Sequence, residues 1–155
     1  MKRFHLALIL VAVVMLFACG NKDIAWTYPY KFSGNRWFDD QQIVFAPDSG
    51  YFDSIQPVKG VISLRYGRGC PVEQIPLVIE TLDPESGAYR RDSIRFRLLP
   101  GNLRNGDHAT MGIFESSDTV TLSPPPSDGW EMTVKPQFDT LYISDVYSLT
   151  LQILK

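Results

Sequence analysis

Apolar and polar residues alternate with a period of two in several short segments of this chain, and turn residues separate the segments. In the clearest segment, Ile94, Phe96 and Leu98 fall on one face of an extended chain, whereas Arg95 and Arg97 fall on the other. Such alternation is typical of antiparallel strands with one face on a core and one face in water. The segments that we expect to form strands lie at residues 42–46, 61–66, 75–82, 93–99, 119–122, 130–135 and 147–153.

Turn signals rich in Pro, Gly, Asn and Asp punctuate these segments, as at Asp83–Gly87 and Pro124–Gly129. Residues 75–82 are almost entirely apolar, which predicts a central strand buried on both faces. The only helical signal after the N-terminal region is a weak one at residues 102–105. We therefore predict an all-β protein, an antiparallel, jelly-roll-like β-sandwich of about seven or eight strands.

The N-terminal segment has the layout of a lipoprotein signal. Lys2 and Arg3 provide a basic start, an apolar stretch runs to Phe17, and Ala18 precedes Cys19. The apolar stretch is too short for a spanning helix, which needs about 20 residues. A cysteine at this point resembles the lipobox of bacterial lipoproteins, which implies that Cys19 becomes the acylated first residue. The alternative is an ordinary buried cysteine in an uncut apolar helix.

The chain is thus predicted to have three parts: a signal peptide at 1–18, a short lipid-proximal tether at 19–25 and one sandwich domain at 26–155. Removal of the signal leaves 137 residues with 13 Lys and Arg against 17 Asp and Glu, a net charge of about −4. This mild acidity argues against nucleic-acid binding, which needs a clustered basic face. Four arginines at positions 90, 91, 95 and 97 are interpreted as a solvated strand face rather than as an anion site.

Catalytic patterns are sparse. Once the signal is removed, His108 is the only histidine, and its neighbour Asp107 would point the opposite way in an extended segment. No HExxH motif or GxSxG elbow is present. Cys70 is interpreted as a half-buried loop cysteine rather than as a reactive thiol. We therefore predict a protein that is not an enzyme, with no catalytic residues.

No cofactor or metal site is predicted either. A structural calcium ion held by aspartates near turns is the less favoured alternative, because acidic residues are also ordinary turn formers. The aspartates concerned are Asp39, Asp40, Asp53 and Asp145.

Three tryptophans are the candidate residues for a ligand or partner surface: Trp26, Trp37 and Trp130. Flat aromatic rings with a polar handle suit both sugar rings and protein interfaces. The alternative role for each of them is a place in the core. We expect the aromatic stretch from Trp26 to Phe38 to lie against the domain.

Several motifs follow one another along nearly the whole mature chain. They are Trp37 with Asp39 and Asp40, Leu64-Arg65-Tyr66 with Pro71, Leu77-Val78-Ile79, Arg91-Asp92-Ser93-Ile94, Gly112-Ile113-Phe114-Glu115 and Ile143-Ser144-Asp145-Val146. Together with the lipobox cysteine, this order resembles the GldH family, gliding-motility lipoproteins of Bacteroidetes. Tyr147 and Ser148 stand where the family pattern has a single glycine.

The resemblance implies an envelope lipoprotein needed for surface gliding in gliding species, with no established enzymatic activity and no catalytic residues to carry over. Lys22-Asp23 loosely resembles a signal that directs lipoproteins of that phylum to the cell surface. The sequence therefore does not decide between the periplasmic face and the outer face of the outer membrane.

We expect a non-enzymatic, lipid-anchored outer-membrane protein that acts by binding other envelope proteins. The first alternative is a glycan-binding lipoprotein of a polysaccharide-uptake system. A hydrolase that uses His108 is the less favoured third hypothesis.

Overall fold

The computed structural model describes residues 24–46, 57–100, 112–123 and 129–154. Within these ranges the chain forms ten β-strands, a short 3-10 turn at Ser33–Asn35 and no α-helix. The strands are β1 (Ile24–Lys31), β2 (Arg36–Phe38), β3 (Ile43–Phe45), β4 (Val58–Gly67), β5 (Gln74–Leu82), β6 (Tyr89–Arg97), β7 (Ile113–Leu122), β8 (Glu131–Pro136), β9 (Tyr142–Ser144) and β10 (Val146–Leu154).

Eight of the strands form two four-stranded antiparallel sheets, and β2 pairs with β9 in a small third sheet. The first sheet has the order β1-β10-β4-β7, and the second has the order β3-β8-β5-β6. If the eight strands are numbered along the chain, the two orders become 1-8-3-6 and 2-7-4-5, the arrangement of a jelly roll. The all-β antiparallel prediction is confirmed.

The core lies between the two sheets, because alternate side chains of each strand point inwards. From the first sheet, Leu149, Leu151 and Ile153 of β10 are fully buried. From the second, Ile75 and Leu77 of β5 are fully buried as well. Burial of one such side chain stabilises the fold by roughly 1.5–3 kcal/mol, so the inward stripes on the central strands supply most of the driving force.

Strand β5 confirms the expectation of a central strand buried on both faces. Its neighbours are β8 on one side and β6 on the other. Ile79 faces the core, whereas Val78 on the opposite face is only 2% exposed. The turn after β5 is also where the sequence places it, since Asp83 accepts hydrogen bonds from the backbone N–H of Glu85 and from the hydroxyl of Ser86.

Strand β1 contains a proline, although proline has no N–H to donate to a sheet ladder. Pro29 lies inside the strand, opposite Thr150 of β10. Strand β1 is at the edge of its sheet, where a missing N–H can face away from the ladder. The strand begins at Ile24, so it includes the last two residues of the tether predicted at 19–25.

Strand β7 begins six residues earlier than the alternation predicts, at Ile113 instead of Thr119. Ser116 and Asp118 take inward positions on this strand, opposite Leu64 and Ile62. Polar residues are tolerated there because β7 is an edge strand whose inner face is open to water. The apolar pattern therefore disappears although the strand continues.

Candidate interaction surface

Trp37 fixes the position of the small β2–β9 sheet against the core. Its side chain is 0% exposed, and its ring lies 4.9 Å from that of Phe32 and 6.5 Å from that of Phe138, between ring centroids. The indole Nε1 donates a hydrogen bond to the backbone oxygen of Gln41 at 3.2 Å. Because the indole is both packed and hydrogen-bonded, the strand that carries it has little freedom to shift.

The residues on either side of Trp37 point the opposite way and form an exposed aromatic patch. Phe38 lies opposite Tyr142 of β9, with the ring centroids 5.6 Å apart. The Arg36 guanidinium lies over the Tyr142 ring, with Cζ 4.9 Å from the centroid. Phe38 is 36% exposed, Tyr142 38% and the adjoining Leu141 70%. We call Arg36, Phe38, Leu141 and Tyr142 the β2–β9 patch.

The side chain of Gln41 forms hydrogen bonds that hold the backbone of this patch in place. Its Nε2 donates to the Tyr30 hydroxyl at 2.7 Å, and its Oε1 accepts from the Phe38 backbone N–H at 3.3 Å. The turn is closed by a bond from the Asp39 N–H to the Leu141 oxygen at 3.1 Å. These bonds tie β2 to β1 and to the segment before β9, so the patch is presented on a fixed backbone.

The patch lies at the end of the sandwich that is far from the N-terminal start of the described chain. Strand β1 has eight residues, and a strand rises about 3.3 Å per residue, so its two ends are about 25 Å apart. After its last residue, Lys31, the chain turns and enters β2. A hydrogen bond from the Phe32 N–H to the Tyr147 oxygen, 3.0 Å long, joins this turn to the start of β10.

Asp145 holds the same end of the sandwich together. It stands between β9 and β10 with a φ of 59°. Its carboxylate accepts hydrogen bonds from the Gly69 N–H at 2.6 Å and from the Tyr147 hydroxyl at 2.5 Å. Its backbone oxygen accepts from the Gly67 N–H at 2.8 Å. A Cβ on Gly67 would overlap the carboxylate, so a larger residue here would displace the Asp145 side chain.

Several of the motifs that follow one another in the sequence therefore meet in space. The Asp145 motif caps the turn that follows Tyr66, and the Tyr66 ring stacks on Phe114 at 5.6 Å between centroids. The Tyr66 hydroxyl also accepts a hydrogen bond from the Leu99 N–H at 2.8 Å. Trp37 pairs with Ile143 directly beneath the patch. Segments far apart in sequence thus build one pole of the sandwich.

The three tryptophans have different positions. Trp37 and Trp130 are 0% and 1% exposed, so of the two roles considered for each of them the place in the core is the one observed. The Nε1 of Trp130 has no hydrogen-bond partner among the described residues. Trp26 is half-buried at the β1 edge, where it stacks on Tyr28 at 5.2 Å with an interplanar angle of 14°.

The residues of the patch were not predicted from the sequence. The available signal was the alternation within Arg36-Trp37-Phe38 and within Leu141-Tyr142-Ile143, in which one apolar residue turns inwards and its neighbours turn outwards. Both segments are too short for a reliable period-two pattern, because a three-residue strand offers one repeat.

The remaining candidate residues give no catalytic or metal centre within the described chain. Cys19, His108 and Asp53 lie outside the described residues. Across residues 24–46, 57–100, 112–123 and 129–154, no three His, Cys, Asp or Glu side chains are grouped to hold a metal ion. Cys70 is 4% exposed, more buried than expected. No helix in those same ranges has the length and apolarity that a membrane crossing requires.

Comparisons of this chain with protein-family models and with curated proteins found no match. Fold and surface together define a jelly-roll protein with an aromatic patch and a braced turn at one pole.

The first prediction concerns the contact between Gly67 and Asp145. Gly67→Ala should lower the free energy of unfolding by about 2 kcal/mol, because the new methyl group overpacks against a carboxylate held by two hydrogen bonds. In an Asp145→Gly background, Gly67→Ala should lower the free energy of unfolding by well under half of that amount, because the carboxylate that the methyl group would contact is absent. Urea unfolding of the four proteins measures both values, and equal costs in the two backgrounds would refute the contact.

The second prediction concerns pH. The hydrogen bond to Asp145 raises the pKa of Tyr147 above its usual value of about 10. The folded protein therefore retains the phenol proton to higher pH than the unfolded chain does. The resulting stabilisation is fully present below about pH 10 and is lost as the pH rises through the folded pKa.

Tyr147→Phe should thus be less stable than the parent at pH 8, and the difference should shrink as the pH rises above about 10. Tyr89→Phe, which removes an exposed hydroxyl on β6, is the matched control. Chemical unfolding between pH 8 and 11 measures both differences. If the stability difference between Tyr147→Phe and the parent stayed constant over this pH interval, the raised pKa of Tyr147 would be contradicted.

Proposed function

We propose that this protein is a non-enzymatic lipoprotein of the cell envelope, anchored through Cys19 and acting by binding another envelope protein. The observation that carries the proposal is the β2–β9 patch, an exposed aromatic cluster on a braced backbone. Exposed apolar patches on a folded domain mark interaction sites. The signal and lipobox pattern of residues 1–19 supports placement in the envelope, at the outer membrane.

The composition of the patch suits a protein partner. Aromatic residues and arginine are enriched where a few side chains supply most of the binding energy. The cation–π contact between Arg36 and Tyr142 holds both side chains in place before binding, which lowers the entropy lost on association. Asp39 and Asp40 are exposed beside the patch and supply a polar rim.

The position of the patch suits an anchored protein. Cys19 precedes the first residue of β1, Ile24, by only five positions, so a lipid there would hold the start of β1 near the bilayer. The patch would then stand about 25 Å further out, at the other end of the strand. Several acyl chains hold a protein stably where one does so marginally. A fixed base and a distant binding surface are what a connector between envelope components needs.

The resemblance to the GldH family supports the choice of partner. It suggests that the bound protein belongs to the gliding machinery in species that glide. Two of the motifs that carry the resemblance, those of Trp37 and Ile143, lie directly beneath the patch and position it. A change in these motifs would alter the binding surface without contacting the partner.

One observation favours the alternative of glycan binding. Trp26 and Tyr28 form a nearly parallel stacked pair at the β1 edge, and Tyr28 is exposed. Flat aromatic surface of this kind can receive a sugar ring. The pair is small, and Trp26 itself is half-buried, whereas all four residues of the β2–β9 patch are exposed.

The third prediction tests the patch. In a crosslinked pull-down from intact envelopes, the parent protein should recover envelope proteins that a double variant, Phe38→Ser with Tyr142→Ser, recovers at least about tenfold less. Tyr89→Ser, which removes a still more exposed ring from β6, should leave recovery unchanged. Cys19→Ser should release the protein from the membrane fraction and lose the same partners.

Equal recovery of envelope proteins by the parent and the double variant would show that the patch does not bind them. Unchanged membrane fractionation of Cys19→Ser would remove the lipid anchor.

The fourth prediction separates the glycan alternative. Because Trp37 and Trp130 are buried, quenching of tryptophan emission by an added sugar reports mainly on Trp26. We expect flat emission across a broad panel of envelope and host glycans. Saturable quenching that is lost in Trp26→Phe would establish the alternative in place of the proposed function.

A further inference from the structure

A cleft of about 620 Å³ separates two edge strands on the side of the sandwich opposite β1 and β3. Strand β6 is the edge strand of the second sheet, and β7 is the edge strand of the first sheet. Neither has a neighbouring strand on this side among the described residues. Residues of both strands line the cleft, and those used below are Ser93, Ile94, Arg95, Arg97, Ser116 and Asp118.

The direction of the β6 backbone follows from two hydrogen bonds. The Leu98 N–H donates to the Glu73 oxygen at 2.8 Å, so Leu98 faces β5. The Arg97 oxygen instead accepts from the Ser116 hydroxyl at 2.9 Å, so Arg97 faces β7 and the cleft. In a strand, successive residues direct their backbone groups to opposite sides.

Ser93 and Arg95 therefore direct their N–H and C=O groups to the open edge, as Arg97 does. The register agrees, because Arg95 lies opposite Pro76, which has no N–H to exchange. No described residue forms a hydrogen bond with the backbone groups of Ser93 or Arg95 on this side. Across the cleft, Asp118 accepts a bond from the Thr119 N–H at 2.8 Å, so one edge position of β7 is taken by its own side chain. On β6, Ser93 and Arg95 offer vacant backbone positions beside arginine side chains.

The side chains of β6 make this edge basic. Arg90 pairs with Asp92 at 2.9 Å. Arg91, Arg95 and Arg97 are exposed on the outer face and form no salt bridge with any described residue. Over residues 93–97, the vacant backbone positions of Ser93 and Arg95 therefore lie beside the guanidinium groups of Arg95 and Arg97.

We propose that the free edge of β6 binds an extended acidic peptide segment, which adds as a fifth strand to the second sheet. The segment would exchange backbone hydrogen bonds with Ser93 and Arg95. Its alternate carboxylates would lie beside Arg95 and Arg97, and the residues between them would face Ile94, which is half-buried in the cleft. This surface is separate from the β2–β9 patch and does not depend on the function proposed for it.

A peptide fits this cleft better than an anionic glycan. The one aromatic ring in the lining, Phe96, is 1% exposed and offers no face for a sugar. Vacant N–H and C=O groups alternating on one strand match the spacing of a second peptide backbone. Charges on an edge strand also discourage unspecific pairing between copies of a protein, and they restrict the added strand to one of opposite charge.

The test uses the detergent-solubilised full-length protein and an acetylated, fluorescein-labelled heptapeptide of alternating Val and Glu. Fluorescence anisotropy should show saturable binding. Arg95→Pro should weaken binding by about tenfold or more, because it removes an N–H at the open edge as well as a charge. The ladder with β5 stays intact in this variant, since that N–H faces away from β5. Arg91→Pro, the same change outside the cleft, is the matched control and should have a much smaller effect.

A second measurement does not depend on how the variants fold. A probe with the same sequence, N-methylated at every backbone amide, should not bind the parent protein, because it has no N–H to donate to the strand ladder from either edge. A probe with Lys in place of Glu should bind far more weakly. Strand addition would be overturned if the methylated probe bound as tightly as the original. It would also be overturned if the polyuronic acid alginate displaced the original probe completely and Arg95→Pro bound that probe as tightly as the parent does. Either result would leave a polyanion site. Absence of saturable binding by the original probe would also overturn strand addition.

Discussion

The carboxylate of Asp145 is the contact on which one whole pole of this jelly roll depends. Its oxygens receive the Gly69 N–H and the Tyr147 hydroxyl, and its backbone oxygen receives the Gly67 N–H. The turn after β4 is thereby fastened to the junction between β9 and β10. Because β9 carries Tyr142 of the β2–β9 patch, the geometry of that surface depends in part on contacts that lie outside the patch.

Most of the sandwich could be predicted from the sequence. The strands that could not be predicted have one physical cause in common. Strands β5 and β10 carry strong apolar signals because they lie inside their sheets and face the core. Strand β1 was obscured by Pro29, and the first half of β7 by inward polar residues such as Ser116. Both are edge strands, where a missing N–H or a polar inner residue costs little.

The candidate surface was harder to predict than the fold. The sequence marks Trp37 as a large aromatic residue, but whether such a ring faces the core or the solvent depends on the strand opposite it. Pairing with Ile143 turns Trp37 inwards, and the same pairing turns Phe38 and Tyr142 outwards. The open edge of β6 likewise depends on strand order, which alternation alone does not determine. Long-range pairing therefore decides both proposed surfaces, one aromatic and one basic.

The central claim is that the β2–β9 patch contacts a protein partner in the envelope. The most direct measurement replaces Tyr142 with the photocrosslinker p-benzoylphenylalanine in the otherwise native lipoprotein and irradiates intact cells. The account predicts a discrete crosslinked product containing one envelope protein, with no such product when the same group replaces Tyr89. Irradiation that gives no product at position 142, or the same products at both positions, would contradict it.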